Sequence, residues 1–551
     1  MKSRSKPFRL LSLKFVLFLL CFTSIASNIY FYFTLNSKGV GFGDGWSRMN
    51  ISRRIVDSLT PGIAQIGGVW LPFPQILISP FSAIDALYFR GIAASFISSP
   101  AFIIGGYFLY RILRTISKSR GVATTGTILY ATNINLLYLQ TTAMSEPLFL
   151  CSLLGCVYYF FKYMKKEGNR LQTLILSGCW AFVASFTRYE GFLLVILLMI
   201  LVFLASWAKT KKYRSAEGAT LIVGTVAMLG IIIWNVYSWA IFGDPLNWAK
   251  IYSGQKAVVS TVTAVPTDFY GVAQDKGQIL TVFKNLYLSI FQMSNFLLIP
   301  VTAFSLVGLS VFFILNKKRK KHLSVLAILA LLFSPALFMI LSGVEGGSLM
   351  RGPDINLGML FNTSYHMLSE YNIRYGILTF PFLIVLCAFV FSRTNFLKGV
   401  FIGITFLISL SGFIPEPNLS YSFPRHYEDV ARTNRTEFFT WFNQNYDGGL
   451  VLVSVIANDP LVYNLKIPYK NYIYEGTGLY WQKAIKEPSR LARWVLMKSG
   501  DKVAKVSGSS DLISYYLAGT EEITRYYDIA YQDKDVTLYK VKWDSLVENR
   551  K

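Results

Sequence analysis

The chain is short of what most soluble enzymes work with. It holds three histidines and five cysteines in 551 residues, its charged residues make up only 15%, and 30 acidic side chains stand against 54 basic ones. All five cysteines, Cys21, Cys151, Cys156, Cys179 and Cys387, lie inside apolar runs and none in the polar C-terminal region, which argues against a disulfide framework or a zinc site. His322 sits in a basic run, and His366 and His426 lack metal-ligand spacing to any partner. A Gly-rich phosphate loop and a repeat of fixed period are both missing. The apolar stretch from Leu11 past Tyr30, preceded by Lys2, Arg4, Lys6 and Arg9, ends without a small-residue cleavage site, so it is expected to stay as an uncleaved first span.

What is present is apolar surface. Hydrophobic residues make up 53% and aromatics 16% of the chain, above the roughly 45–50% apolar share of soluble proteins. Runs able to span a bilayer, or nearly so, fall at 11–35, 89–110, 121–140, 143–161, 171–187, 190–208, 218–242, 286–315, 322–342, 373–391 and 398–414. Tight hairpins are expected at Thr141–Thr142 and at Arg188–Gly191. The net charge of +24 does not read as a nucleic-acid surface, because the basic residues cluster between apolar runs. Every second loop is basic: Arg111, Arg114, Lys118 and Arg120; Lys162, Lys165, Lys166 and Arg170; Lys209, Lys211, Lys212 and Arg214; Lys317 to Lys321; and finally Arg393 and Lys398. Positive charge gathers on the cytoplasmic side of spans, so the alternation predicts a cytoplasmic N-terminus and an extracytoplasmic C-terminus, in a cell membrane or endomembrane.

The sequence thus predicts a polytopic α-helical membrane protein of about eleven spans with a C-terminal soluble α/β domain. Residues 1–414 form the membrane domain, with a first outer loop at 36–88, and 415–551 the extracytoplasmic domain. In the latter, Leu450–Ile456 and Val536–Val541 read as strands and Ser489–Met497 as helix, while Asp533-Lys534-Asp535 reads as a turn.

The outer side carries Asp44, Glu146, Glu190, Asp244, Glu345 and Asp354 near span ends, where a carboxylate is costly unless it meets a cavity or a partner. In Gly43-Asp44-Gly45-Trp46, flanking glycines let the backbone bring Asp44 close to a ligand, or Asp44 is a solvated turn residue. Ile51, Ile55 and Leu59 beside Arg48, Arg53 and Arg54 predict a helix lying in the membrane interface, followed by a second interfacial piece at Trp70-Leu71-Pro72-Phe73-Pro74. Ser145-Glu146-Pro147 puts a carboxylate at a span mouth or simply caps that helix. Arg188, in Thr187-Arg188-Tyr189-Glu190-Gly191, holds a phosphate or pairs with Glu190. Arg374, in Asn372-Ile373-Arg374-Tyr375, binds a ligand or snorkels at the headgroups. Asp244, in Phe242-Gly243-Asp244-Pro245-Leu246, opens a long outer loop. Asn-x-Ser/Thr triplets begin at Asn50, Asn362, Asn418 and Asn434.

In their order and shared outer placement these segments resemble the GT-C superfamily of polyprenyl-phosphate-sugar-dependent glycosyltransferases, which includes protein O-mannosyltransferases and lipid A aminoarabinose transferases. The resemblance implies a membrane enzyme moving a monosaccharide from a dolichyl- or undecaprenyl-phosphate donor to an acceptor hydroxyl of a protein, lipid or polysaccharide. It gives Asp44 the role of activating the acceptor. Many members carry a second acidic residue beside that Asp, where this chain has Gly45, so whether Mg²⁺ or Mn²⁺ takes part stays open. A phosphate is a good leaving group, so one base and one cationic clamp suffice: Asp44 as base, Arg374 or Arg188 on the departing phosphate, and inversion at the anomeric carbon. Glu146, Glu190 and Asp244 are further candidates for substrate or metal. Membrane lipids are the expected surroundings. A lipid or solute transporter or flippase is the alternative, although the carboxylates gather at one face rather than at the midplane.

Overall fold

A computed structural model describes residues 13–34, 43–252, 257–260, 263–265, 279–295, 297–315, 323–344, 373–411, 436–455, 458–498 and 511–542. Glu345, Asp354, the three histidines and the triplets at Asn362, Asn418 and Asn434 lie outside them. The chain forms two compact units. One comprises Met1–Gly39, Ser95–Trp234 and Asp275–Tyr427; the other comprises Val40–Ala94, Asn235–Gln274 and Glu428–Lys551.

The first unit is helical, because its segments are apolar around much of their circumference. Its helices run Leu13–Thr34, Ser95–Ser117, Arg120–Thr132, Ile134–Leu139, Glu146–Lys165, Arg170–Thr187, Glu190–Thr210, Tyr213–Ala227, Ile279–Ser294, Leu298–Leu315, Leu323–Val344, Phe380–Phe391 and Asn395–Ser411, with a 3₁₀ turn at Ile373–Thr379. Leu229–Phe242 continues from it into the second unit. Six of the helical stretches are long and apolar enough to cross a membrane, or seven if Tyr213–Ala227 and Leu229–Phe242, bent by 45°, count as one span.

Two of the expected spans are broken at an asparagine. Asn133 accepts a hydrogen bond from the Leu136 amide and so starts a new short helix after Thr132. The run 286–315 is two helices, because Asn295 adopts a left-handed backbone with φ 98°. Its carboxamide oxygen accepts from the Leu297 amide, and its nitrogen donates to Ile408 O and Ser411 Oγ. The hairpin turns at Thr141–Thr142 and Arg188–Gly191 are both present.

In the second unit a two-stranded ribbon, β1 (Ala257–Ser260) and β2 (Thr263–Val265), accompanies a five-stranded mixed sheet. The sheet consists of β3 (Val451–Leu452), β4 (Tyr472–Ile473), β5 (Trp494–Lys498), β6 (Tyr527–Gln532) and β7 (Val536–Val541) in the order β4-β3-β5-β7-β6. Strand β3 is parallel to β4 and β5, while β7 is antiparallel to β5 and β6. The helix expected at Ser489–Met497 is instead a 3₁₀ turn, Pro488–Arg490, and the central strand β5. Trp494 and Leu496 enter one apolar core, Val495 and Met497 the other. A strand buried on both faces loses the polar–apolar alternation that would betray it. The turn at Asp533 is as expected: its Oδ1 accepts from the amides of Asp535 and Val536 at 2.7 Å each.

The first loop, Val40–Ala94, groups with this sheet in one compact unit. The helix expected in the membrane interface exists as Gly43–Arg54, but its Trp46, Arg48, Met49, Ile51 and Arg53 are buried inside the unit. Leu59 packs against the sheet core. Arg53 is matched there, with Nε donating to Asp57, Nη1 to Ser82 O and Nη2 to Asp85. Leu71, Pro72 and Pro74 of the second interfacial piece are likewise buried, where the chain enters helix Phe73–Ser82.

Candidate active site

Four of the residues selected on charge and loop position meet in the first unit. Glu146 starts helix Glu146–Lys165, Arg188 and Glu190 occupy the turn between Arg170–Thr187 and Glu190–Thr210, and Arg374 lies in the 3₁₀ turn before Phe380–Phe391. These helix ends are opposite to those joined by the basic loops, which follow Ser117, Lys165, Thr210 and Phe391.

The geometry is that of a buried, charge-balanced cluster. Arg188 donates through Nη2 to Glu190 Oε1 at 2.7 Å and through Nε to both Glu190 oxygens at 3.2 Å. Its Nη1 donates to Ser145 Oγ and to Glu146 Oε1, each at 3.0 Å. Arg374 Nε lies 3.2 Å from the same Glu146 oxygen. Both guanidinium groups sit over the Tyr375 ring, at 4.9 and 5.1 Å from its centroid. Glu146 is fully buried and Arg374 only 3% exposed, so Arg374 does not snorkel. Ser145 does not cap its helix either; it serves Arg188 instead. Burying four charges costs several kcal/mol per ion, which two arginines facing two carboxylates offset through short contacts and the ring. Glu146 Oε2 has no hydrogen-bond partner among the described residues.

Local packing explains how these residues reach one another. The turn before Glu146 is tied down by Ser95 Oγ and Ser98 Oγ, which donate to the carbonyls of Thr141 and Thr142. A Cβ on Gly191 would come within 2.5 Å of the Ala184 carbonyl, and one on Gly376 within 2.1 Å of Ser289 O. Glycine at these two places lets the backbones beside Glu190 and Tyr375 close up.

Asp44 and Asp244 belong to the second unit. Asp44 lies in the first turn of helix Gly43–Arg54. Asp244 accepts from the Leu246 amide at 2.9 Å and pairs with Lys250, whose hydrogen bond holds its carboxyl below the usual carboxylate range. That is the geometry of a partly exposed turn. Among the described residues no three His, Cys, Asp or Glu side chains are grouped to hold a metal ion, and Glu146 and Glu190 already serve arginines. Sequence reasoning passed over Tyr375, which the sequence offers only as the neighbour of Arg374, and over Asp459 of the second unit, which has no local signal. The triplet at Asn50 is no glycan acceptor in this fold, since Asn50 is fully buried.

The family model described as dolichyl-phosphate-mannose-protein mannosyltransferase matches residues 72–237, which include Glu146, Arg188 and Glu190. Two solved structures share the fold over almost the whole chain at 9% sequence identity. ArnT from Cupriavidus metallidurans bound to undecaprenyl phosphate superposes with TM-score 0.58, covering 96% of this chain and 98% of that one. The apo state of that ArnT gives TM-score 0.57, with 94% and 96% covered. The resemblance to the GT-C superfamily holds. Comparison with curated proteins finds none that matches. The six or seven helices long and apolar enough to cross a membrane agree with that shared fold.

Proposed function

We propose that the protein transfers a monosaccharide from a dolichyl- or undecaprenyl-phosphate donor to an acceptor hydroxyl on the extracytoplasmic side, with inversion. The observation that carries this reading is the buried Arg188–Glu146–Arg374 cluster at the helix ends opposite the basic loops. The positive-inside pattern makes those ends the outer ones, with eleven crossings, the N-terminus inside and residues 415–551 outside.

In the reaction the acceptor oxygen attacks the anomeric carbon while Asp44 takes its proton. The bond from that carbon to the phosphate oxygen breaks with its electron pair on the phosphate. Arg374 and Arg188 stabilise that charge, since a planar guanidinium can serve a phosphate and a carboxylate together. Glu146 Oε2 accepts from a hydroxyl of the donor sugar. The polyprenyl tail lies among the membrane helices, and that ArnT has been solved with undecaprenyl phosphate supports a donor of this kind. Acceptors that fit are a protein, a lipid or a polysaccharide.

The test is sugar transfer from a radiolabelled polyprenyl-phosphate monosaccharide by purified protein, with membrane extract as acceptor. Asp44→Asn is expected to lose about 10²–10⁴-fold in rate while still binding donor, and Arg374→Ala to bind donor more weakly. Transfer unchanged in Asp44→Asn would remove it from the chemistry. Donor movement across vesicles without any transfer would favour a flippase.

A further inference from the structure

Helix Gly43–Arg54 is held from the C-terminal segment by one carboxylate. Asp459, at the start of helix Asp459–Asn464, accepts from Ser47 Oγ through Oδ2 at 2.5 Å and from Asn50 Nδ2 through Oδ1 at 2.8 Å. Asn50 Nδ2 also reaches the Asp459 carbonyl at 3.0 Å. Tyr88 in turn donates to Asn50 Oδ1 at 2.7 Å, and Tyr463 to the Tyr88 carbonyl at 2.5 Å. Residues 44, 47 and 50 follow one another at three-residue intervals, so they share a face of the helix.

We propose that Asp459 is a positioning residue for Asp44: its carboxylate brackets Ser47 and Asn50 and fixes the first turns of the helix that carries Asp44. The inference rests on Asp44 being the base of the proposed transfer. Burial pushes the Asp459 carboxyl up, Asp44 adds to that rise, and the Ser47 and Asn50 hydrogen bonds and Arg54 oppose it. The other ionisable groups facing Asp459 are the Tyr88 and Tyr469 hydroxyls, both neutral at ordinary pH because burial raises them. Asp459 thereby orients Asp44 without touching the substrate.

The experiment compares full-length wild type, Asp459→Asn and Asp459→Ala by amide exchange over residues 44–54 and by kcat and donor KM of transfer. Asp459→Ala removes the bracket and is expected to speed exchange in that helix by about tenfold or more. Asp459→Asn keeps the shape, so exchange stays slow and transfer stays near the wild-type rate, whereas in Asp459→Ala transfer slows. KM for donor is expected to stay constant in Asp459→Ala as kcat falls. Exchange unchanged in Asp459→Ala, or kcat unchanged there while the helix loosens, overturns the proposal. Exchange needs no substrate, so it separates the two readings. Wild type that transfers nothing, with Asp459→Ala still loosening the helix, defeats the transferase reading and leaves Asp459 a purely structural clamp.

Discussion

Arg188 and Arg374, 186 positions apart, approach the same oxygen, Oε1 of Glu146, at 3.0 and 3.2 Å. One carboxylate therefore joins two cations that come from different turns of the first unit. The arrangement is neutral as a whole, which is what lets it stay buried.

Removing that carboxylate's charge should pull stability and phosphate binding in opposite directions. Glu146→Gln leaves two arginines facing one carboxylate, and breaking a buried pair costs about 3–5 kcal/mol. The variant is expected to melt at lower temperature yet bind undecaprenyl phosphate more tightly, as read by thermal unfolding and by titration in detergent. Weaker binding would mean that Glu146 holds the two arginines in the geometry the phosphate needs.

Gly191→Ala should fail to assemble the turn that carries Arg188 and Glu190. The added Cβ would meet the backbone of Ala184 and Ser185 at 2.5 Å, and backbone does not swing away as a side chain does. A marked loss of folded yield is expected from size-exclusion chromatography, while Gly218→Ala, whose Cβ meets nothing within 4 Å, should fold normally.

Burial raises the Glu475 carboxyl to about 6, against the hydrogen bonds it accepts from Ser454 Oγ and the Val455 amide. The unfolded chain ionises near 4.5, so the stability this group confers is complete below that pH and disappears as pH rises through 6. About 2 kcal/mol is at stake, at 1.36 kcal/mol per unit. Melting temperatures of wild type and Glu475→Gln, taken from pH 4.5 to 7, should show the slope in wild type and a flatter line in the variant.

No glycan is expected at Asn50 when the folded protein is offered to an oligosaccharyltransferase in vitro, despite its triplet. The side chain is fully enclosed by Asp459 and Tyr88, and intact-mass analysis before and after deglycosylation reads this directly. A glycan there would mean that the loop reaches the glycosylation machinery unfolded.

Much of the candidate site was legible because charge beside hydrocarbon is expensive. Glu146, Arg188, Glu190 and Arg374 stand out against their apolar neighbours, and their loop positions put them on one side. What was hidden is pairing over distance. Nothing around Asp459 announces that Ser47 will meet it, and the apolar positions Ile51, Ile55 and Leu59 look alike whether they face lipid or a sheet. Strand β5 was misread for a related reason, since burial on both faces removes the alternation. The broken spans were missed because one asparagine scarcely lowers the hydropathy of a long run, although its side chain can end a helix.

The bracket between Ser47 and Asp459 joins residues 412 positions apart. During synthesis, at about 5–20 residues per second, the first loop must wait roughly 20–80 s for its partner to emerge. Over that interval helix Gly43–Arg54 lacks Tyr463 against Trp46 and Asp459 against Ser47 and Asn50. A premature stop between Ser411 and Asp459 would thus give a chain with its membrane helices intact and its first loop unfinished. The last stretch translated completes one of the first.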